Sequence, residues 1–141
     1  MTLPLQVLLI EDNPGDADLT RESLEEGKLQ VDITVLPDGE AALAYLRQQA
    51  PYLAARRPDL ILLDLNLPRI SGREVLAEIK SDPALRAIPV VVLSSSAAEQ
   101  DISKCYDLGA NCYVTKPVGL AAFQSIVQAV ENFWFTIVRL P

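Results

Sequence analysis

The sequence predicts a doubly wound parallel α/β domain, and three observations carry that reading. Short apolar runs of strand length alternate with amphipathic segments of helix length, the pattern of βα units rather than of hairpins. Two runs, Leu60–Leu63 and Val90–Leu93, are continuously apolar, as strands covered on both faces must be. Four runs stop at a reactive polar group: Leu5–Ile10 at Glu11-Asp12, Leu60–Leu63 at Asp64, Val90–Leu93 at Ser94 and Tyr113–Thr115 at Lys116. On neighbouring parallel strands those groups would gather at one edge of the sheet.

The elements follow in order. Strands are expected at roughly 5–10, 31–36, 59–63, 89–93 and 112–115. The second alternates (Val31-Asp32-Ile33-Thr34-Val35) and reads as a sheet edge, whereas the third and fourth read as central. Helix starts are marked by Asn13-Pro14, with Asp16 in the first turn, by Asp38, and by two capping boxes, Ser71-Gly72-Arg73-Glu74 and Ser96-Ala97-Ala98-Glu99. Five strands, each followed by a helix, fit the flavodoxin-like order 2-1-3-4-5, with right-handed crossovers and helices on both faces. Gln48–Pro58, with two prolines and Arg56-Arg57, reads as a long surface loop. In the last segment Phe123, Ile126, Val127, Val130, Trp134, Ile137 and Val138 form one helical stripe that packs on the sheet. Phe133, Phe135 and Leu140 fall off that stripe, so 131–141 is either a tucked-in C-terminus or a partner surface; we take it as the surface.

Composition excludes several functions. The 141 residues make one ordinary domain, half apolar and 22% charged. A net charge of −7 argues against nucleic acid and against an anionic membrane surface. No apolar stretch has the length of a membrane span and Met1–Gln6 does not read as a signal peptide, so a cytoplasmic location is expected. Cys105 and Cys112 lack metal or redox spacing and read as buried small hydrophobes. There is no histidine, which removes Ser/His and Cys/His nucleophiles and the common zinc sites. Any phosphohistidine must belong to a partner.

The chemistry points to a cation and a phosphoryl group. Ligands of open parallel sheets bind beyond the carboxyl ends of the strands, where Glu11, Asp12 and Asp64 would converge. Unneutralised carboxylates so close repel one another, so a cation is expected, and oxygen-only ligands suit Mg²⁺. The backbone carbonyl of Asn66 could complete the shell. A lone strand-end aspartate is as often a helix cap; three on adjacent strands rarely are. Asp64 is the candidate nucleophile, because an aspartate carboxylate can take a phosphoryl group. Ser94 Oγ and Lys116 Nζ are the donors available to its equatorial oxygens.

Glu11-Asp12-Asn13, the run Asp59–Pro68, Gly72, Ser94 and Gly109–Pro117 resemble the response-regulator receiver domain of two-component signalling, over nearly the whole chain. The resemblance implies Asp64 as phosphoacceptor and Glu11 and Asp12 as the acidic pair at Mg²⁺. It implies Ser94 as the switch hydroxyl, Lys116 as the phosphate-contacting lysine, Tyr113 as the switch aromatic and a cis bond before Pro117. Ser94 replaces a commoner threonine and Leu67 a frequent methionine. The long loop before Arg57-Pro58-Asp59, the segment Gly109–Val118 and the tail Asn132–Val138 look most like single-domain regulators partnered with phytochrome-type histidine kinases.

That likeness implies a symmetric homodimer through the fourth helix, fifth strand, fifth helix and the tail. The function expected is a stand-alone, non-enzymatic regulator without an output domain. It would signal by contact with a downstream protein or a phosphotransfer protein. Three other readings are weaker. An aspartyl-phosphate phosphatase usually wants an acid where Asn66 stands. A nucleotide or flavin domain wants a Gly-rich cradle where Glu11–Gly15 puts negative charge. An adaptor that is never phosphorylated would not keep Asp64 and Lys116.

Overall fold

The computed structural model describes residues 4–26, 30–94, 99–110, 112–115 and 125. Its strands are β1 (Leu5–Ile10), β2 (Val31–Leu36), β3 (Leu60–Asp64), β4 (Val90–Ser94) and β5 (Cys112–Thr115). Its helices are α1 (Pro14–Glu25), α2 (Gly39–Leu46), α3 (Gly72–Ser81) and α4 (Glu99–Asp107). All pairings are parallel and the order is β2-β1-β3-β4-β5. The alternating second run is thus an edge, and the two continuously apolar runs are interior strands in which every residue is buried. The expected fifth helix and the apolar tail lie outside the described residues, Ser125 excepted.

Two cores follow from the two-residue period of the strands. Leu8, Ile10, Ile61, Leu63, Val90 and Val92 face α2, α3 and α4, meeting Leu43, Leu46, Val75, Leu76, Ile79 and Cys105. Their neighbours Val7, Leu9, Leu60, Leu62, Val91 and Leu93 face the other way, against Ala17 and Leu24 of α1. Each such buried aliphatic side chain contributes about 1.5–3 kcal/mol. Interior strands buried on both faces leave no freedom of register, because a one-residue slip would exchange the two cores.

The helix starts are capped as their sequences require. Asn13 Oδ1 accepts from Asp16 N–H at 3.0 Å, Asp38 Oδ1 from Ala41 N–H at 2.7 Å, and Ser71 Oγ from Glu74 N–H at 3.2 Å. The Ser96 capping box lies outside the described residues. Helix α4 ends in a Schellman motif: Ala110 N–H donates to Cys105 O and Gly109 N–H to Tyr106 O, both at 3.0 Å. Gly109 sits at φ 103°, where a side chain would be strained. The segment between α2 and β3 is irregular but pinned. The rings of Tyr45 and Tyr52 meet edge-to-face at 5.5 Å, and Arg57 Nη1 donates to Ala84 O at 2.5 Å.

Candidate functional site

The register puts the chemistry at one end of the sheet. Ile10 pairs with Leu63, so Glu11 and Asp64 stand one step beyond a matched pair on adjacent strands. Asp64 pairs with Leu93, which places Ser94 one step further along β4. Oxygens of Glu11, Asp12 and Asp64 all lie within 4.8 Å of one another. Glu11 and Asp64 are each 3% exposed and Ser94 1%, whereas Asp12 and Asn66 are exposed. The site therefore has a buried, rigid floor and an open rim.

Local structure fixes each carboxylate. Glu11 N–H donates to Leu36 O at 3.0 Å, extending the β1–β2 ladder past the last strand residue. Asp64 Oδ1 accepts from Asn66 N–H at 3.1 Å, which orients its carboxylate. Leu65 N–H donates to Leu93 O at 3.1 Å, holding the β3 end against β4. Gly72 brings α3 down onto that end: its N–H donates to Leu65 O at 3.1 Å. A Cβ there would lie 2.5 Å from Leu65 Cα and nearer still to the Asp64 carbonyl oxygen. In the intervening loop Arg69 has φ 65°, uncommon for a residue with a side chain, and its Nη1 lies 3.7 Å from Glu40 Oε2 of α2.

Three hard oxygen donors with an exposed rim fit a hard divalent cation that keeps some of its waters. Their mutual repulsion is relieved by such an ion, and helix α1, starting at Pro14 just beyond them, points its positive end toward the cluster.

Of the sequence-predicted residues, the structure thus brings Glu11, Asp12 and Asp64 together and sets Ser94 on the adjacent strand end. Tyr113 lies on β5, opposite Val92, and packs half-buried against the core that faces α2, α3 and α4. Ser94 continues the face of Val90 and Val92, so Ser94 and Tyr113 share one side of the sheet. Lys116, with the peptide bond before Pro117, lies outside the described residues. Cys105 is fully buried as expected; burial pushes its thiol up, partly offset by the Arg73 charge.

Two contributors were missed by reasoning from sequence. The sequence shows Gly72 only within a capping box and a resemblance, whereas its closest neighbours are backbone atoms of Asp64 and Leu65. Tyr106, on α4, reaches over to β5 and accepts from Tyr113 N–H at 3.2 Å. No periodicity announces either contact, because both join residues that only the fold makes neighbours.

A doubly wound sheet with an acidic trio at its carboxyl edge fits a metal-assisted phosphoryl-handling domain better than a nucleotide cradle. The chain belongs to the response regulator receiver domain family, whose model matches residues 7–130, and is a two-component signalling protein rather than an enzyme. It is 48% identical to response regulator Rcp1 of Synechocystis sp. over 138 residues, 98% of this chain and 94% of Rcp1. A crystal structure of the Mn²⁺-bound form of Rcp1 matches with TM-score 0.80, covering 98% of this chain and 99% of that one. The phosphorylated cyanobacterial phytochrome response regulator RcpA matches at 50% identity and TM-score 0.82, over 99% of both chains. The bacteriophytochrome response regulator AtBRR matches at 41% identity and TM-score 0.82, over 94% and 96%. No helix among the described residues is long and apolar enough to cross a membrane.

Proposed function

We propose that this chain is a stand-alone response regulator that takes a phosphoryl group on Asp64 from the phosphohistidine of a phytochrome-type histidine kinase. The observation that carries the reading is the convergence of Glu11, Asp12 and Asp64 within 4.8 Å at the carboxyl edge of the sheet. The kinase class rests on the likeness to phytochrome response regulators at 41–50% identity. The donor is a partner because this chain has no histidine.

An Asp64 oxygen attacks phosphorus in line, the P–N bond to the partner imidazole breaks, and the imidazole keeps the electron pair and takes up a proton. Glu11, Asp12, Asp64 and the Asn66 carbonyl would hold Mg²⁺, which when bound neutralises charge on the transferring group. Asn66 N–H, 3.1 Å from Asp64 Oδ1, keeps the other oxygen oriented. Ser94 and Lys116 then move toward a group of charge about −2, and Tyr113, on the same face as Ser94, fills the vacated space. The face made by α4, β5 and the expected fifth helix changes, and with the tail it pairs two copies. Output is contact with a downstream protein or a phosphotransfer protein in the cytoplasm.

Acetyl phosphate with Mg²⁺ tests the assignment. The protein gains the mass of one phosphoryl group, and Asp64→Asn abolishes the gain; an undiminished gain in Asp64→Asn refutes Asp64 as acceptor.

A further inference from the structure

Strand β5 pairs with β4 and ends the sheet, so every second backbone N–H of β5 points away from its neighbour. Tyr113 is such a residue, and its N–H donates to the hydroxyl of Tyr106 at 3.2 Å. The donor is the backbone of the expected switch residue, and the acceptor belongs to α4, part of the surface that would carry the output. Tyr106 is placed for this by its helix end. Its carbonyl accepts from Gly109 N–H within the Schellman motif, while its ring, 46% exposed, reaches across to the strand. The α4–β5 connection is therefore closed at both ends, by a backbone bond at the turn and a side-chain bond on the strand.

We propose that the Tyr106 hydroxyl is the link that passes a displacement of β5 at Tyr113 to helix α4, making Tyr106 a positioning residue for signal output. The inference rests on the reading of Tyr113 as a switch. Tyr113 packs on the same core as Cys105, the α4 residue preceding Tyr106. Apolar packing tolerates sliding, because its energy is spread over many weak pairs and has no direction. A hydrogen bond is directional and weakens steeply when misaligned. When Tyr113 shifts toward space left by Ser94, its N–H either parts from the Tyr106 oxygen or draws α4 with it. Parting would take from an outward-facing edge N–H the acceptor that α4 supplies. The bond thus gives α4 two positions matched to two positions of β5, which is what a two-state element requires.

Tyr106→Phe tests the link while keeping the ring. Tyr45→Phe is its control, since Tyr45 also spans from a helix to an edge strand, its hydroxyl 3.5 Å from Thr34 Oγ1 at the opposite edge. Amide exchange is followed by NMR with and without acetyl phosphate and Mg²⁺. In the unphosphorylated protein, Tyr106→Phe speeds exchange of the Tyr113 amide about tenfold, the scale of one net hydrogen bond. On phosphorylation, α4 amides change in the parent and in Tyr45→Phe, whereas in Tyr106→Phe that change falls to roughly a third or less although Asp64 is still modified.

An unchanged Tyr113 amide overturns the bond. A faster Tyr113 amide with the full α4 response overturns the coupling and leaves Tyr106 as an edge cover. A parent that gains no phosphoryl mass overturns the functional reading and the coupling with it, while the Tyr113 amide still reports on the bond.

Discussion

Gly72→Ala is the substitution in which the close approach of α3 to the site can be measured. The added Cβ would stand 2.5 Å from Leu65 Cα and 3.0 Å from Leu65 O, and closer to the Asp64 carbonyl oxygen. Carbon atoms sit comfortably at about 3.5–4.0 Å from one another, so the start of α3 must retreat from β3 by about 1 Å. All three neighbours are backbone atoms of Asp64 and of Leu65, just past the end of β3, and none can swing aside as a side chain would. Overpacking of this kind costs about 1–3 kcal/mol. With an unfolding entropy of ~2.1 cal/mol/K per residue, a loss of about 2 kcal/mol lowers Tm by about 7 °C in a chain of 141 residues.

The loss of activity is larger than the loss of stability suggests. A retreat of about 1 Å pulls through the Gly72 N–H to Leu65 O bond on the backbone next to Asn66, whose N–H orients the Asp64 carboxylate, and misplacement on that scale lowers a positioned reaction by on the order of 10²-fold. Urea unfolding gives the first quantity and the initial rate of phosphorylation by acetyl phosphate the second. Gly15→Ala is the comparison, because among the described residues its Cβ would meet only the Asn13 side-chain oxygen, at 3.3 Å. A Gly72→Ala protein that unfolds and phosphorylates like Gly15→Ala refutes the argument.

Three other perturbations have defined outcomes. Asp12→Asn removes the exposed carboxylate of the trio; the metal needed for half-maximal phosphorylation rises on the order of tenfold or more, while the metal-free protein melts higher because a repulsion is gone. An unaltered metal requirement would exclude Asp12 as a ligand. Cys105, followed in a Cys112→Ala background, reacts with a disulfide reagent only as fast as the protein opens. Burial raises its folded pKa above the ordinary 9.0, so its contribution is complete below pH 9.0 and is lost as pH rises through the folded value, by at most about 1.4 kcal/mol per pH unit. Cys105→Ala flattens that alkaline decline, as denaturant titrations at several pH values will register; parallel declines contradict the assignment. The proposed pairing through the tail predicts that Phe133→Asp and Phe135→Asp convert a dimer to a monomer in sedimentation, and a monomeric parent at micromolar concentrations ends that proposal.

Most of the fold was legible because its signals are local and repeated. Continuous apolarity at Leu60–Leu63 and Val90–Leu93 marked interior strands, alternation at Val31–Val35 marked an edge, and the caps Asn13, Asp38 and Ser71 marked helix starts. Glu11, Asp12 and Asp64 were legible for a different reason. Parallel strands align their carboxyl ends, so a polar residue that stops an apolar run has its place in space fixed by its place in sequence. Interactions made sideways out of an element carry no such signal. Nothing in Ser71-Gly72-Arg73-Glu74 says that the glycine meets Asp64 and Leu65, nor does the spacing from Tyr106 to Tyr113 say that a helix hydroxyl finds a strand amide. The left-handed Arg69, a position glycine or asparagine would have advertised, is hidden in the same way.

The same distinction decides where a phosphoryl group can send its effect. Asp64 and Ser94 end strands whose every residue is buried, between two cores that interlock on opposite faces. Such strands cannot shift without opening cavities on both sides, at about 2–5 kcal/mol for each large aliphatic side chain left unpacked. On the proposed reading, a charge of about −2 placed on Asp64 would therefore be met by movement of side chains at the strand ends and of the sheet edge beyond β4, not by movement of β3 or β4. The edge beyond β4 is β5, where Tyr113 is half-buried and its backbone is held from outside by Tyr106. The other edge, β2, is separated from Asp64 by the buried strand β1 and has no residue in the acidic trio. If Asp64 is the acceptor, the order of the strands, more than any one residue of the site, would direct the response toward α4.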